Sequence, residues 1–182
     1  PVTSSLPRPR KSLGQHFLTD PNIIRKIIAL AHLRPDETVL EIGPGRGALT
    51  GALCRAVKTV VAVEVDAQLG EYLSRTFSNV HNLDLRIGDA LEFPFERLPE
   101  GTVVVANLPY NISTPILFRL LESRHRFDRL ILMLQTEVAR RLAAKPGGKT
   151  YGSLSVSTQR WTVPSLAFTV SPGCFQPPPE VG

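Results

Sequence analysis

The stretch "TVLEIGPGRGALT" (38–50) decides the fold: an apolar strand stops at Gly43 and a helix opens a few residues later. Gly43, Gly45 and Gly47 stand at the junction. Residues without a Cβ let backbone approach a ligand closely and aim free N–H groups at an anion. Before this stretch, Asp20 and Pro21 form a helix start, and Ile23, Ile24, Ile27, Ile28 and Ala31 recur at helical spacing until Pro35. After it, strand and helix periods alternate. The pattern predicts strands at 38–43, 59–65, 83–87, 102–108 and 129–135, and helices at 47–57, 67–77, 114–123 and 136–144. Apolar strands spaced by amphipathic helices give an α/β fold with a doubly wound, mostly parallel sheet.

The ends of the chain are less regular. Residues 1–9, rich in Pro and Ser, read as a mobile arm, with order starting near Lys11. "KPGGKTYG" (145–152) reads as a flexible basic loop. "SLSVSTQRW" (153–161) alternates like a strand, although its neighbours leave a helix equally open, and "SLAFTV" (165–170) reads as another strand. The tail "SPGCFQPPPEVG" is extended and stiffened by Pro177, Pro178 and Pro179.

With 182 residues, 42% of them apolar, the chain fits one globular domain with its own core. Its longest apolar stretches fall short of the roughly 20 residues of a membrane helix, and its N-terminus lacks the apolar region of a signal peptide, so a cytoplasmic protein is expected. Cys54 and Cys174 have no metal-ligand spacing, and His32, His81 and His125 no ligand or triad spacing. The formal charge is +5, and basic residues gather at Arg8, Arg10 and Lys11, at Arg124, Arg126 and Arg129, and at Arg140, Arg141, Lys145 and Lys149. From charge alone, a solvated surface and nucleic-acid binding stand level.

In a doubly wound sheet, ligands bind outside the carboxyl ends of the strands. At the first end, the glycines suit an adenosine cofactor, although Gly43, Gly45 and Ala48 also satisfy the dinucleotide fingerprint. At the second, Glu64 in "VEVD" can accept both ribose hydroxyls of NAD or of S-adenosylmethionine equally well. Asp89 in "GDALEF" suits an adenine amino group, or a helix N-cap. At the fourth, "VVANLPYNIS" (104–113) breaks its strand pattern. Asn107 brings a side-chain acceptor, Pro109 stiffens the turn and removes a donor, and Tyr110 offers a flat face for a base. The Asn107 side chain and the Leu108 or Pro109 carbonyl could hold the hydrogens of a planar amine and aim its lone pair at an electrophilic methyl.

With "KSLGQHFL", "EIGPGRGALT", "VEVD", "GDAL", "NLPYNISTPIL", "LQTEVARRL", "GGKTYGSLSV" and "FQPPPEV" in this order, the chain from about Lys11 to Val181 resembles the KsgA-type ribosomal RNA adenine dimethyltransferases. The resemblance implies a Rossmann-like methyltransferase domain that uses S-adenosylmethionine to dimethylate N6 of two adjacent adenines near the 3′ end of small-subunit rRNA. It implies action late in ribosome assembly, with the 30S particle as partner; separately from the resemblance, a monomer is expected. Carried over, it assigns cofactor contacts to His16, Leu18, Gly43, Gly45, Glu64, Asp89 and Asn107, and the amine-holding motif to Asn107, Leu108, Pro109 and Tyr110. It pairs Phe175 with Tyr110 across the target adenine and makes 152–161 a helix. Three departures stand out: His16 replaces the family's usual Asn, Glu180 and Gly182 replace Lys and Asp, and the chain ends where the family continues into a final strand and a small helical domain that helps grip rRNA. Cofactor binding is therefore expected to survive better than methyl transfer. Competing readings are a macrolide-resistance adenine methyltransferase of large-subunit rRNA, a nonenzymatic RNA-binding assembly factor and an NAD-dependent dehydrogenase.

Overall fold

The strand that opens the glycine turn lies at the centre of the molecule. In the computed structural model, which describes residues 6–179, β1 (Phe17–Leu18) and α1 (Pro21–Ala31) precede β2 (Thr38–Ile42). There follow α2 (Ala48–Ala56), β3 (Thr59–Glu64), α3 (Ala67–Thr76), β4 (Leu83–Ile87), β5 (Thr102–Asn107) and α4 (Ser113–Glu122). The remainder holds β6 (Phe127–Met133), α5 (Thr136–Leu142), α6 (Ser153–Gln159) and β7 (Phe175–Gln176). Five strands form a parallel sheet in the order β4-β3-β2-β5-β6. The strand order reverses between β2 and β5, the crevice where a doubly wound sheet takes its ligand.

Alternation along the strands splits the core in two. Leu40 and Ile42 of β2, Val104 and Ala106 of β5, and Ile116 and Leu120 of α4 form one cluster, closed by the fully buried Phe95. On the other face Val39, Val60, Val103 and Val105 meet Ile23 and Ile27 of α1 and Leu49 and Leu53 of α2. Helices therefore cover both faces, as near-continuous apolar strands require. Helix α1 starts where the sequence places it: the Asp20 carboxylate accepts from the Asn22 and Ile23 N–H groups, and Pro21 occupies the first turn.

The amino edge of the sheet is closed by ions. The guanidinium of Arg129 donates to both Glu37 oxygens at 2.9 Å, and also to the Ala31 and His32 carbonyls at 2.7 and 3.0 Å. Burial of Glu37 is nearly complete, and the Arg129 hydrogen bonds hold its carboxyl below the usual carboxylate range.

Of the two alternating segments, the first is a helix, as the resemblance implies, and the second departs from its expected strand. Residues 153–159 are helical: the buried Ser155 hydroxyl and the Gln159 amide, four apart on one face, donate to the Arg141, Leu142 and Ala144 carbonyls, capping the carboxyl end of α5. Residues 165–170, read as a strand, are not one. No neighbouring backbone among the described residues pairs with them, and without a ladder an alternating pattern is only an extended chain. The tail read as extended contributes β7, which pairs antiparallel with β1, Leu18 facing Phe175. Of the N-terminal arm, residues 1–5 lie outside the described residues, as do Glu180 and Gly182. The Pro7 carbonyl accepts from the Arg46 guanidinium at 2.8 and 3.2 Å. No helix of the described residues is long and apolar enough to cross a membrane.

Candidate functional site

Because β2 and β5 are neighbours, with Ile42 opposite Ala106, their carboxyl ends bring Gly43 beside Asn107. A cleft of about 800 Å³ opens there. All residues assigned from the sequence line it: His16, Leu18, Gly43, Gly45, Glu64, Asp89, Asn107, Leu108, Pro109, Tyr110 and Phe175.

The glycine turn is built on positive φ. Gly43 (φ 69°) donates its N–H to the Val63 carbonyl at 3.0 Å, and a Cβ there would meet only the Asn107 carbonyl, at 3.7 Å. That open position, between two strand ends, is the gap a ligand needs. Gly45 is tight instead: a Cβ would stand 2.8 Å from the Phe17 ring. Its N–H donates at 3.0 Å to one oxygen of Glu64, whose other oxygen accepts from Asp66 N–H at 3.0 Å. Glu64 is thus fixed in the cleft wall with lone pairs left on both oxygens. Burial, the largest influence, raises its carboxyl above the usual range against those two bonds. Asp89 caps a turn and lines the cleft. One oxygen accepts the Leu91 N–H at 2.9 Å and caps a turn, while the exposed carboxylate still faces the cleft.

At the end of β5, the Asn107 amide donates through Nδ2 to the His16 carbonyl at 3.1 Å. A carbonyl can only accept, so this contact fixes the amide's orientation and leaves Oδ1 unengaged among the described residues. The Leu108 N–H is held by Met133 at 3.2 Å, and the Pro109 carbonyl by the Ile112 N–H at 3.2 Å. The Leu108 carbonyl accepts no hydrogen bond among the described residues. Tyr110 is 56% exposed, its ring edge near Gly14 of the N-terminal loop.

The two chain ends close over this site. His16 donates through Nδ1 to the Pro177 carbonyl at 2.8 Å, so its side chain ties the amino-terminal loop to the tail while its carbonyl holds Asn107. Phe175 is half-buried against the cluster containing Leu18 and Val39. Arg46, over the Phe17 ring at 4.6 Å, also reaches Gln176 at 3.2 Å.

The ribosomal RNA adenine dimethylase family model matches residues 7–182. The chain belongs to the ribosomal RNA adenine dimethylase family. It is 48% identical over 184 residues to ribosomal RNA small subunit methyltransferase A of Moorella thermoacetica, covering 95% of this chain and 64% of that protein. Against its counterpart in Geobacter sulfurreducens the identity is 48% over 179 residues, covering 96% and 65%. The chain therefore spans just under two thirds of the length of these relatives. Among solved structures, a dimethyladenosine transferase from Plasmodium falciparum superposes with a TM-score of 0.79 at 32% identity, covering 91% of this chain and 60% of that one. The 23S rRNA methyltransferase ErmE gives 0.76 at 31%, covering 91% and 66%. The fold is thus the Rossmann-like methyltransferase type.

In this adenine dimethylase domain, one cleft residue was missed by the sequence reading. Glu41, near the carboxyl end of the apolar strand β2, is 1% exposed. It points to the α2 face, where the Thr50 hydroxyl donates to it at 2.7 Å, and no cation pairs with it among the described residues. Burial, and then the nearby Glu64, push its carboxyl up to about 8, with the Thr50 bond opposing. The signal was present: a carboxylate inside a strand covered on both faces needs a reason.

Proposed function

We propose that this chain is the catalytic domain of an S-adenosylmethionine-dependent adenine N6-dimethyltransferase acting on two adjacent adenines near the 3′ end of small-subunit rRNA, as a monomer in the cytoplasm, late in ribosome assembly. One observation carries the reading most: the His16 contact turns the Asn107 amide so that Oδ1, beside the unengaged Leu108 carbonyl, presents two acceptors at the mouth of an adenosine-type cleft. Adenine N6 has two hydrogens and a lone pair delocalised into its ring. Two acceptors that hold those hydrogens pyramidalise the nitrogen, localise the lone pair and stabilise positive charge as it develops, without a strong base.

The cleft fits the cofactor. The open position over Gly43 supports entry of a ligand, and Glu64 and Asp89, which line the cleft, suit ribose hydroxyls and an adenine amino group. When bound, S-adenosylmethionine supplies an electrophilic methyl on a sulfonium. Tyr110 and Phe175 line the same cleft and suit the two faces of a target base. The names of the small-subunit relatives favour that rRNA over large-subunit rRNA. The test is radiolabelled methyl transfer from S-adenosylmethionine to undermethylated 30S particles. Label on paired adenines of the small-subunit RNA is expected. Absence of label from this chain and from a full-length version alike, although both bind S-adenosylhomocysteine, overturns the reading.

A further inference from the structure

The basic residues at 124–129 part company in the fold. Arg126 pairs with Glu100 at 3.5 Å and Arg129 with Glu37 at 2.9 Å. Arg124 instead lies over the Trp161 ring, 3.8 Å from its centroid, with one N–H donated to the Leu121 carbonyl at 3.2 Å. Arg160 sits over the same ring at 4.9 Å. Neither guanidinium has a carboxylate partner among the described residues, and the nearest groove carboxylate, Glu122, pairs with Arg119 at 3.2 Å.

Beside this stack, a groove of about 320 Å³ runs between the carboxyl end of α4 and α6. Phe118, Val156 and Trp161 lie 39%, 52% and 49% open along it. The groove is apolar in its floor and cationic at its rim. A polypeptide that inserted only apolar side chains would desolvate two charges without pairing them. Single-stranded RNA carries a phosphate beside every base, so it satisfies both parts together. Helix α4 has ten residues and spans about 15 Å from this groove to Ser113, next to Tyr110, a distance covered by a few nucleotides.

We propose that the groove formed by Arg124, Arg160, Trp161, Phe118 and Val156 is a second RNA site, taking single-stranded RNA that flanks the target adenines, with phosphates on the two guanidiniums and a base against the apolar floor. It rests on the reading above that the substrate is RNA.

Trp161 is the sole tryptophan of the chain, so its emission reports on this groove. The chain is titrated with a short, end-labelled, single-stranded ribo-oligonucleotide and, in parallel, with an acidic peptide of equal charge. RNA should change Trp161 emission saturably. An Arg124→Ala/Arg160→Ala double variant should bind at least about tenfold more weakly, with its salt slope shallower by about 1.4 for two lost phosphate contacts. Its affinity for S-adenosylhomocysteine should be unchanged. Equal RNA affinity in wild type and variant, or RNA binding with Trp161 silent, overturns the site. So does a response to the peptide alone, which assigns the groove to a protein partner. Methyl transfer with a silent Trp161 sinks this proposal and leaves the methyltransferase reading intact. A responding Trp161 with no methyl transfer by this chain or by a full-length version does the reverse.

Discussion

Two glutamates four residues apart, at opposite ends of one strand, live under opposite rules. Glu37, at the amino end of β2, is held by the bidentate Arg129 fork, by Arg34 at 2.8 Å and by the Arg34 N–H at 2.7 Å. Glu41, near the carboxyl end, is more deeply buried and has one hydroxyl. The first carboxyl is pulled below its ordinary range and the second pushed up to about 8. The amino edge is scaffold, where every buried charge finds a partner. The carboxyl edge leaves acceptors under-used at Glu41, Glu64, Asn107 and Leu108, and that deficit marks the side that receives ligands.

Arg129→Ala breaks the scaffold side of this contrast. It removes the bidentate partner of a nearly buried carboxylate and leaves only Arg34 to hold it, which should cost about 2 kcal/mol of unfolding free energy in urea titration. A loss below about 1 kcal/mol would show that Arg34 alone compensates. On the functional side, Asn107→Ala should lower methyl transfer by more than about tenfold while S-adenosylhomocysteine still binds, because one of the two acceptors is gone. Unchanged turnover would remove Asn107 from its role.

Acidity separates the two glutamates directly. Between pH 4.5 and about 8 the unfolded chain releases the Glu41 proton while the fold keeps it, so this group lowers stability as pH rises through that window. Glu37 does the opposite: it contributes stability above pH 4.5, which is lost as pH falls through its depressed folded value. Glu41→Gln should therefore match the wild-type melting temperature at pH 4, exceed it increasingly towards pH 8, and keep a constant gain above. Parallel curves would mean that Glu41 ionises in the fold as freely as in water. The smallest effect is expected at Asp89→Asn, which keeps a turn-capping oxygen but loses the charge. Calorimetry should show S-adenosylhomocysteine affinity about threefold weaker, and no change would leave Asp89 as a cap only.

Much of this was legible in the chain. The strands at 38–42, 59–64 and 102–107 and the helices between them follow from period and turn residues, and the polar groups at the strand ends pointed to the cleft before any coordinates did. Glu41 escaped because it sits inside a motif read for its glycines. Ser155 and Gln159 escaped the residue-by-residue reading because their segment alternates like a strand and left a helix equally open, and the resemblance decided for the helix. The donors face the exposed carbonyls at the end of α5. At 165–170 the pattern was real but found no partner among the described residues.

The sequence by itself determined the alternation of elements, the glycine turn after β2 and the residue types at each strand end, because propensity, side-chain period and backbone freedom are local. Only the tertiary structure decided which acids are paired and which are buried without a cation, that His16 would fix the orientation of the Asn107 amide, and that β1 and β7 would close over the cleft from opposite ends of the chain. Desolvation and hydrogen-bond geometry depend on what packs against a group, and residues distant in sequence supply that.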